Sequence, residues 1–133
     1  MWLLKTEPGA YSYDDLERDA ETRWDGVKNP AALKNMREMK VGDRVVLYHT
    51  GGERAAVGIA QVVRAAYPDP ELADPKRLVV DIAARRRLKT PVSLGELKEL
   101  KIFAGSPLVR QGRLSVVPLD SAQWKAIESR GLK

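Results

Sequence analysis

Trp24-Asp25-Gly26-Val27-Lys28-Asn29-Pro30, followed at once by Ala31-Ala32-Leu33-Lys34-Asn35-Met36-Arg37-Glu38-Met39, is the stretch around which the chain can be read. Asn29 suits an N-cap, Pro30 suits the first helical position because its missing N–H has no partner there, and Ala32, Met36 and Met39 recur at helical spacing. A short amphipathic helix therefore starts at Asn29. Just before it, a large aromatic, an acid, a glycine and a base occupy a connecting segment, where a side chain is free to face a ligand. Trp24 also has the size of a core residue, so its neighbours, more than its identity, single it out.

Working outward towards the N-terminus, Met1 to Lys5 reads as a strand ended by Lys5-Thr6-Glu7-Pro8-Gly9, where Pro and Gly break pairing. In Tyr11-Ser12-Tyr13-Asp14-Asp15-Leu16, Ser12 and Asp15 form a capping-box pattern that opens a short helix. On the other side, Val41-Gly42-Asp43 turns into Arg44–Thr50, a β-rich run apolar on both faces and so an inner strand. Gly51 to Arg54 is a hairpin connection, and Ala55 to Arg64 returns as the partner strand. Its small residues Ala55, Ala56, Gly58 and Ala60 predict tight curvature, as in a barrel wall.

Tyr67-Pro68-Asp69-Pro70-Glu71 reads as a Pro-rich loop, Leu78 to Ile82 as a strand, and Arg85 to Lys89 as its basic extension. Ser93 and Glu96 form a second capping pattern. Leu108 to Pro118 combines a basic turn with a last strand, and Ser121 caps a closing helix that runs to Gly131 as its C′ residue. Strands outnumber helices and every helix is short. The expectation is an α+β, mostly β fold in one domain over residues 1–133, an antiparallel β-barrel decorated by short α-helices.

With 133 residues, the chain is long enough to bury a core without staples. It has no cysteine and a single histidine, His49, which removes disulfides, thiolate metal sites and any His cluster for zinc. No metal or cofactor is expected. No apolar run approaches a membrane span, so the sequence reads as soluble and cytoplasmic, while oligomeric state is not legible. The net charge of +5 suits a partner rich in phosphate, because a clustered basic face gains affinity by releasing counterions.

Several pieces, in order, carry a resemblance: Met1-Trp2-Leu3-Leu4-Lys5-Thr6-Glu7-Pro8, Tyr11-Ser12, Trp24-Asp25-Gly26-Val27-Lys28-Asn29, Gly42-Asp43, Tyr48-His49-Thr50, Val57-Gly58-Ile59-Ala60, Tyr67-Pro68-Asp69, Val80-Asp81 and Arg110-Gln111-Gly112-Arg113-Leu114-Ser115-Val116. Together they resemble the EVE domain family, a branch of the PUA-like superfamily related to the YTH readers of methylated RNA. The resemblance implies a PUA-like barrel that binds DNA or RNA and holds a modified base in an aromatic-walled pocket, with Trp24 as one wall. Family members often have Trp where this chain has Arg77, which implies a more open cage or one that uses Tyr67 instead.

A base offers a flat π face and polar edges, so its reader needs a stacking surface and a few placed polar groups. Trp24 and Val27 supply the apolar side; Thr6, Ser12, Asn29 and Thr50 are the polar candidates. His49 can stack, donate a hydrogen bond or fill the barrel end, and Tyr48 can line the pocket or belong to the core. Lys5, Lys28, Arg110 and Arg113 are the basic residues nearest the matched motifs and the candidates for backbone contact. Three other readings stand beside this one. A binder of unmodified RNA would show salt-sensitive affinity without a mark preference, and an interaction module would hold a protein segment in its groove. An enzyme acting on modified nucleotides lacks a Cys nucleophile, a G-x-S-x-G elbow or a phosphate-binding glycine loop here.

Overall fold

Leu3 and Leu4 give β1 (Trp2–Thr6) no solvent face, and both are fully buried. The computed structural model describes residues 1–133. In it β1 lies between β6 (Val116–Pro118), antiparallel, and β3 (Arg44–His49), parallel. A parallel neighbour requires a crossover. That crossover consists of α1 (Tyr13–Asp19), β2 (Glu21–Trp24) and α2 (Pro30–Glu38), and its β2 and flanking loops line the candidate site.

From β3 the chain turns into two long strands, β4 (Ala55–Pro68) and β5 (Leu78–Ser93). The six strands form one mixed sheet in the order β2-β5-β4-β3-β1-β6, and every pairing except β1 with β3 is antiparallel. The fold is therefore α+β and mostly sheet. Strand pairing does not close it: β2 and β6 are its two edges.

Helix starts follow the local chemistry. The Ser12 hydroxyl accepts from the Asp15 amide at 3.1 Å, and the Asp15 carboxylate accepts from the Ser12 amide at 2.8 Å. That amide, opposed by slight desolvation, holds the Asp15 carboxyl below its usual range. Asn29 caps α2 by accepting from the amides of Ala31 and Ala32 at 2.8 and 3.0 Å. After β5 come α3 (Leu94–Lys98), a 3-10 turn at Lys101–Phe103 and α4 (Pro107–Arg110). The closing helix α5 (Ser121–Gly131) is capped by Asp120, not Ser121, through a reciprocal box with Gln123. Gly131 is its last residue, packed so closely on Leu88 that a Cβ would lie 2.7 Å from that side chain.

β4 runs past the expected stop at Arg64 to Pro68; beyond Gln61 it pairs only with β5, so this end is an edge, where a proline is tolerated. Its small residues also have a use besides curvature. The Tyr13 ring lies directly on Gly58, where any Cβ would collide with it, and the Tyr13 hydroxyl donates to the Ile59 carbonyl at 2.7 Å. Register shifts cluster along β4 against β5, bending the strand pair over the core.

Candidate nucleic-acid interface

Gly26 adopts a left-handed φ of 76°, a conformation open to glycine, and turns the chain from the end of β2 into α2. Trp24, the last residue of β2, pairs with Val80 of β5. This places Trp24, Asp25, Gly26, Val27 and Lys28 along one wall of a cleft of about 510 Å³. The opposite wall is the end of β1 and the loop behind it: Lys5, Thr6, Glu7 and Tyr11. The volume lies within the range of small-ligand sites.

Two aromatic rings meet in this cleft. Tyr11 and Trp24 have centroids 6.0 Å apart and planes at 84°, an edge-to-face pair that forms a corner and not a parallel sandwich. Trp24 is only 7% exposed and part of the core, and Tyr11 is the more open of the two rings. The corner is braced from behind: the Thr6 hydroxyl donates to the Tyr11 carbonyl at 2.7 Å, and the Tyr11 hydroxyl donates to Asp19 at 2.9 Å. Burial, with the Asp19 charge, raises the Tyr11 hydroxyl above its ordinary pKa and keeps it a donor. Arg77 donates from Nε to the Val27 carbonyl at 3.2 Å and so pins the loop from outside the cleft.

The electrostatics of the cleft are mixed. Lys5, Arg23 and Lys28 supply cations, Glu7 and Asp25 supply carboxylates, and Thr22 and Ser115 supply hydroxyls. Burial lowers the Lys5 ammonium pKa, and Nζ donates to the Gly112 carbonyl at 3.0 Å. No ion pair engages Lys5, Glu7, Asp25 or Lys28. Their charges are available to a ligand.

Of the residues singled out from sequence, the cleft gathers Lys5, Thr6, Trp24, Val27 and Lys28. Asn29 and Ser12 are occupied as helix caps. His49 is buried beneath, its Nε2 accepting from the Tyr13 amide at 3.1 Å and its Nδ1 at 2.7 Å from Glu53, which fixes Nδ1 as the protonated nitrogen of the neutral ring. Tyr67 lies outside the cleft, with its hydroxyl on Asp81 at 2.6 Å and its ring under Arg64. Tyr48 and Thr50 line a separate depression. Arg110 is tied by Nε to the Ala104 carbonyl at 2.8 Å, while Arg113 is exposed; neither lines the cleft. Reading the sequence missed Tyr11 as the second wall, along with Glu7, Thr22, Arg23, Asp25 and Ser115. Tyr11 had a signal, an aromatic two residues after the strand-ending Pro8-Gly9, but Tyr13, two residues further on, gave much the same signal.

The EVE domain profile matches residues 1–130. Thymocyte nuclear protein 1 of Rattus norvegicus is 32% identical over an alignment of 163 positions, covering 96% of this chain and 72% of the rat protein. Among solved structures, Rpa0253 of Rhodopseudomonas palustris superposes with a TM-score of 0.91 at 39% identity, covering 98% of this chain and 91% of the other. Human THYN1, solved in complex with DNA containing 5-methylcytosine, superposes with a TM-score of 0.89 at 29% identity, covering 99% of this chain and 97% of that one. No helix is long and apolar enough to cross a membrane.

Proposed function

The chain belongs to the EVE domain family, and on that premise we propose that it is a non-enzymatic reader of nucleic acid that admits one modified base to the Trp24–Tyr11 cleft. The observation that carries the reading is the braced aromatic corner opening onto unspent polar groups. The complex of human THYN1 with 5-methylcytosine DNA makes that base the first candidate. Asp25 and Glu7 suit it, since a carboxylate accepts from the exocyclic amino group of cytosine. We set this activity in the cytoplasm. The bent β4–β5 pair is the part of the sheet that would form the wall of a PUA-like barrel.

Stacking on the corner is worth about 1–3 kcal/mol, comparable to the few kcal/mol needed to unstack a base. The cleft alone therefore breaks roughly even on a duplex, and the backbone must supply the surplus. Lys5 and Lys28 stand at the cleft for that purpose, with Arg113 exposed nearby in sequence to Ser115. A methyl group adds only about 0.8 kcal/mol by burial, so the expected preference for a mark is a few-fold.

The test is a binding titration of wild type and Trp24→Phe against matched oligonucleotides, unmodified or carrying one 5-methylcytosine, 5-hydroxymethylcytosine or N6-methyladenine, as DNA and as RNA. A preference for one mark that shrinks in Trp24→Phe is expected, with the oligonucleotide recovered intact by mass spectrometry. Equal, salt-sensitive binding of all of them, unaffected at Trp24, would favour a binder of unmodified RNA or DNA and sink the pocket. Altered oligonucleotide mass would make it an enzyme.

A further inference from the structure

Beside the cleft lies a second depression of about 280 Å³, and Lys5 forms part of the wall of both. Its other polar lining comes from Tyr48, Thr50 and Arg54, and no carboxylate faces it. The acids are placed elsewhere. Glu53, next to Arg54 in sequence, is turned to the buried His49 at 2.7 Å, and Arg54 forms no ion pair. One side of Lys5 thus mixes charges, whereas the lining of the other carries cations alone, with Glu7 Oε1 at their shared margin beside Gly51.

Arg54 sits at a left-handed φ of 47°. A side chain other than glycine or asparagine is strained there, and the same turn has glycines at 51 and 52 that would bear it more easily. The backbone is nevertheless well held, with the Arg54 carbonyl accepting from the Leu94 amide at 2.8 Å and Nε donating to the Gly51 carbonyl at 3.3 Å. Four further N–H groups of the guanidinium remain. Lys5 spends one N–H on the Gly112 carbonyl and hangs 5.9 Å from the centre of the Tyr48 ring. Burial raises the Tyr48 hydroxyl above its ordinary pKa while the nearby Arg54 cation pulls against it, so the hydroxyl stays a donor.

We propose that this depression binds a phosphodiester of the same strand whose base enters the cleft, with Arg54 and Lys5 as its cations and the Tyr48 hydroxyl as a further donor. The assignment rests on the reader function above. A nucleotide inserted base first leaves its own phosphates at the rim, and Lys5 is the rim shared by the two concavities. A guanidinium fork and an ammonium suit a tetrahedral anion. Because a phosphate contact holds register and carries no base information, this site supplies affinity and leaves the choice of mark to the cleft.

The experiment is a titration of the full chain with an oligonucleotide carrying one 5-methylcytosine, repeated from about 50 to 200 mM salt. Arg54→Asn suits the left-handed backbone, and equal melting temperatures confirm the fold. Arg54→Asn should lower the salt slope by about 0.7–0.9 and weaken marked and unmarked strands by the same factor. Arg54→Lys should retain the slope, and Lys125→Gln, on helix α5 and in the lining of neither concavity, should leave it unchanged. A neutral methylphosphonate at the linkage flanking the marked base should weaken wild type, and cost little more in Arg54→Asn.

Wild-type slope and affinity in Arg54→Asn overturn the site, as does a methylphosphonate penalty equal in both proteins. An equal loss in Lys125→Gln reduces the effect to net charge and also overturns it. If Trp24→Phe still shrinks the mark preference in those cases, only the phosphate site falls. A wild type that binds no oligonucleotide at all removes the reader function and this site together.

Discussion

The end of β2 and the end of β3 look alike in sequence and differ in use. Each brings an aromatic and several polar side chains to a strand terminus: Trp24-Asp25 with Val27-Lys28 in one, Tyr48-His49-Thr50 in the other. At β3 the polar atoms of His49 and Thr50 are engaged by the protein itself, and only the Tyr48 hydroxyl is left to line the second depression. His49 accepts from the Tyr13 amide and donates to Glu53, and the Thr50 hydroxyl donates to the Thr6 carbonyl at 3.3 Å. At β2, Asp25 and Lys28 form no ion pair and face the cleft. A side chain recruited to satisfy backbone is structure; one that the fold leaves unspent is available to a ligand.

The sharpest way to break that distinction is His49→Ala. It leaves the Tyr13 amide without its acceptor inside the protein and releases Glu53, at a cost of about 1–3 kcal/mol. Chemical denaturation should register that loss in full, while the ratio of affinities for marked and unmarked strands stays at its wild-type value in the folded protein. A ratio that collapses without any loss of stability would place His49 among the base-contacting residues and erase the difference between the two strand ends.

The same difference marks what could be read from sequence. Trp24, Val27 and Lys28 were legible because a turn and a helix cap fix their segment locally, and Lys5 and Thr6 because Pro8-Gly9 ends their strand beside it. Thr22 and Arg23 were not, since Glu21-Thr22-Arg23-Trp24 has no alternation strong enough to declare a four-residue strand. Ser115 was beyond reach, for it arrives by a long-range bond, the Lys5 amide donating to its carbonyl at 2.9 Å. Tyr11 and Tyr13 were indistinguishable until Gly58, far along the chain, provided the bed on which only Tyr13 lies. The parallel pairing of β1 with β3 was hidden for a related reason: the crossover that demands it contains the missed strand β2.

Asn29 tests the boundary between the two regions, because it closes the Trp24 segment yet its side chain serves the helix. Asn29→Ala should cost about 0.5–2 kcal/mol of stability through the lost cap. Affinity for every strand should fall only as far as the loop loosens, with the mark ratio kept. Loss of the ratio at unchanged stability would instead give Asn29 a direct contact with the base, and would extend the ligand-facing region into α2.

The smallest expected effect comes from the other tryptophan at a strand end. Trp2 donates its indole N–H to Asp43 at 2.9 Å, and the Lys40 amide donates to the same oxygen at 2.9 Å. This indole is spent, as His49 is, whereas Trp24 faces the cleft. Burial pushes the Asp43 carboxyl up, but the Lys40 amide and the Trp2 indole outweigh it, and the net displacement is below the ordinary value of 3.8. The charged form therefore stabilises the fold above that value, and the contribution is lost as pH falls through the lower folded value. Acid titration of stability should be steeper below about pH 4 in wild type than in Asp43→Asn, with identical mark ratios at neutral pH. Equal slopes would mean that the indole and amide bonds do not depend on the carboxylate charge. A changed ratio would mean that strain at Trp2 reaches the cleft through β1, which continues directly into Lys5 and Thr6.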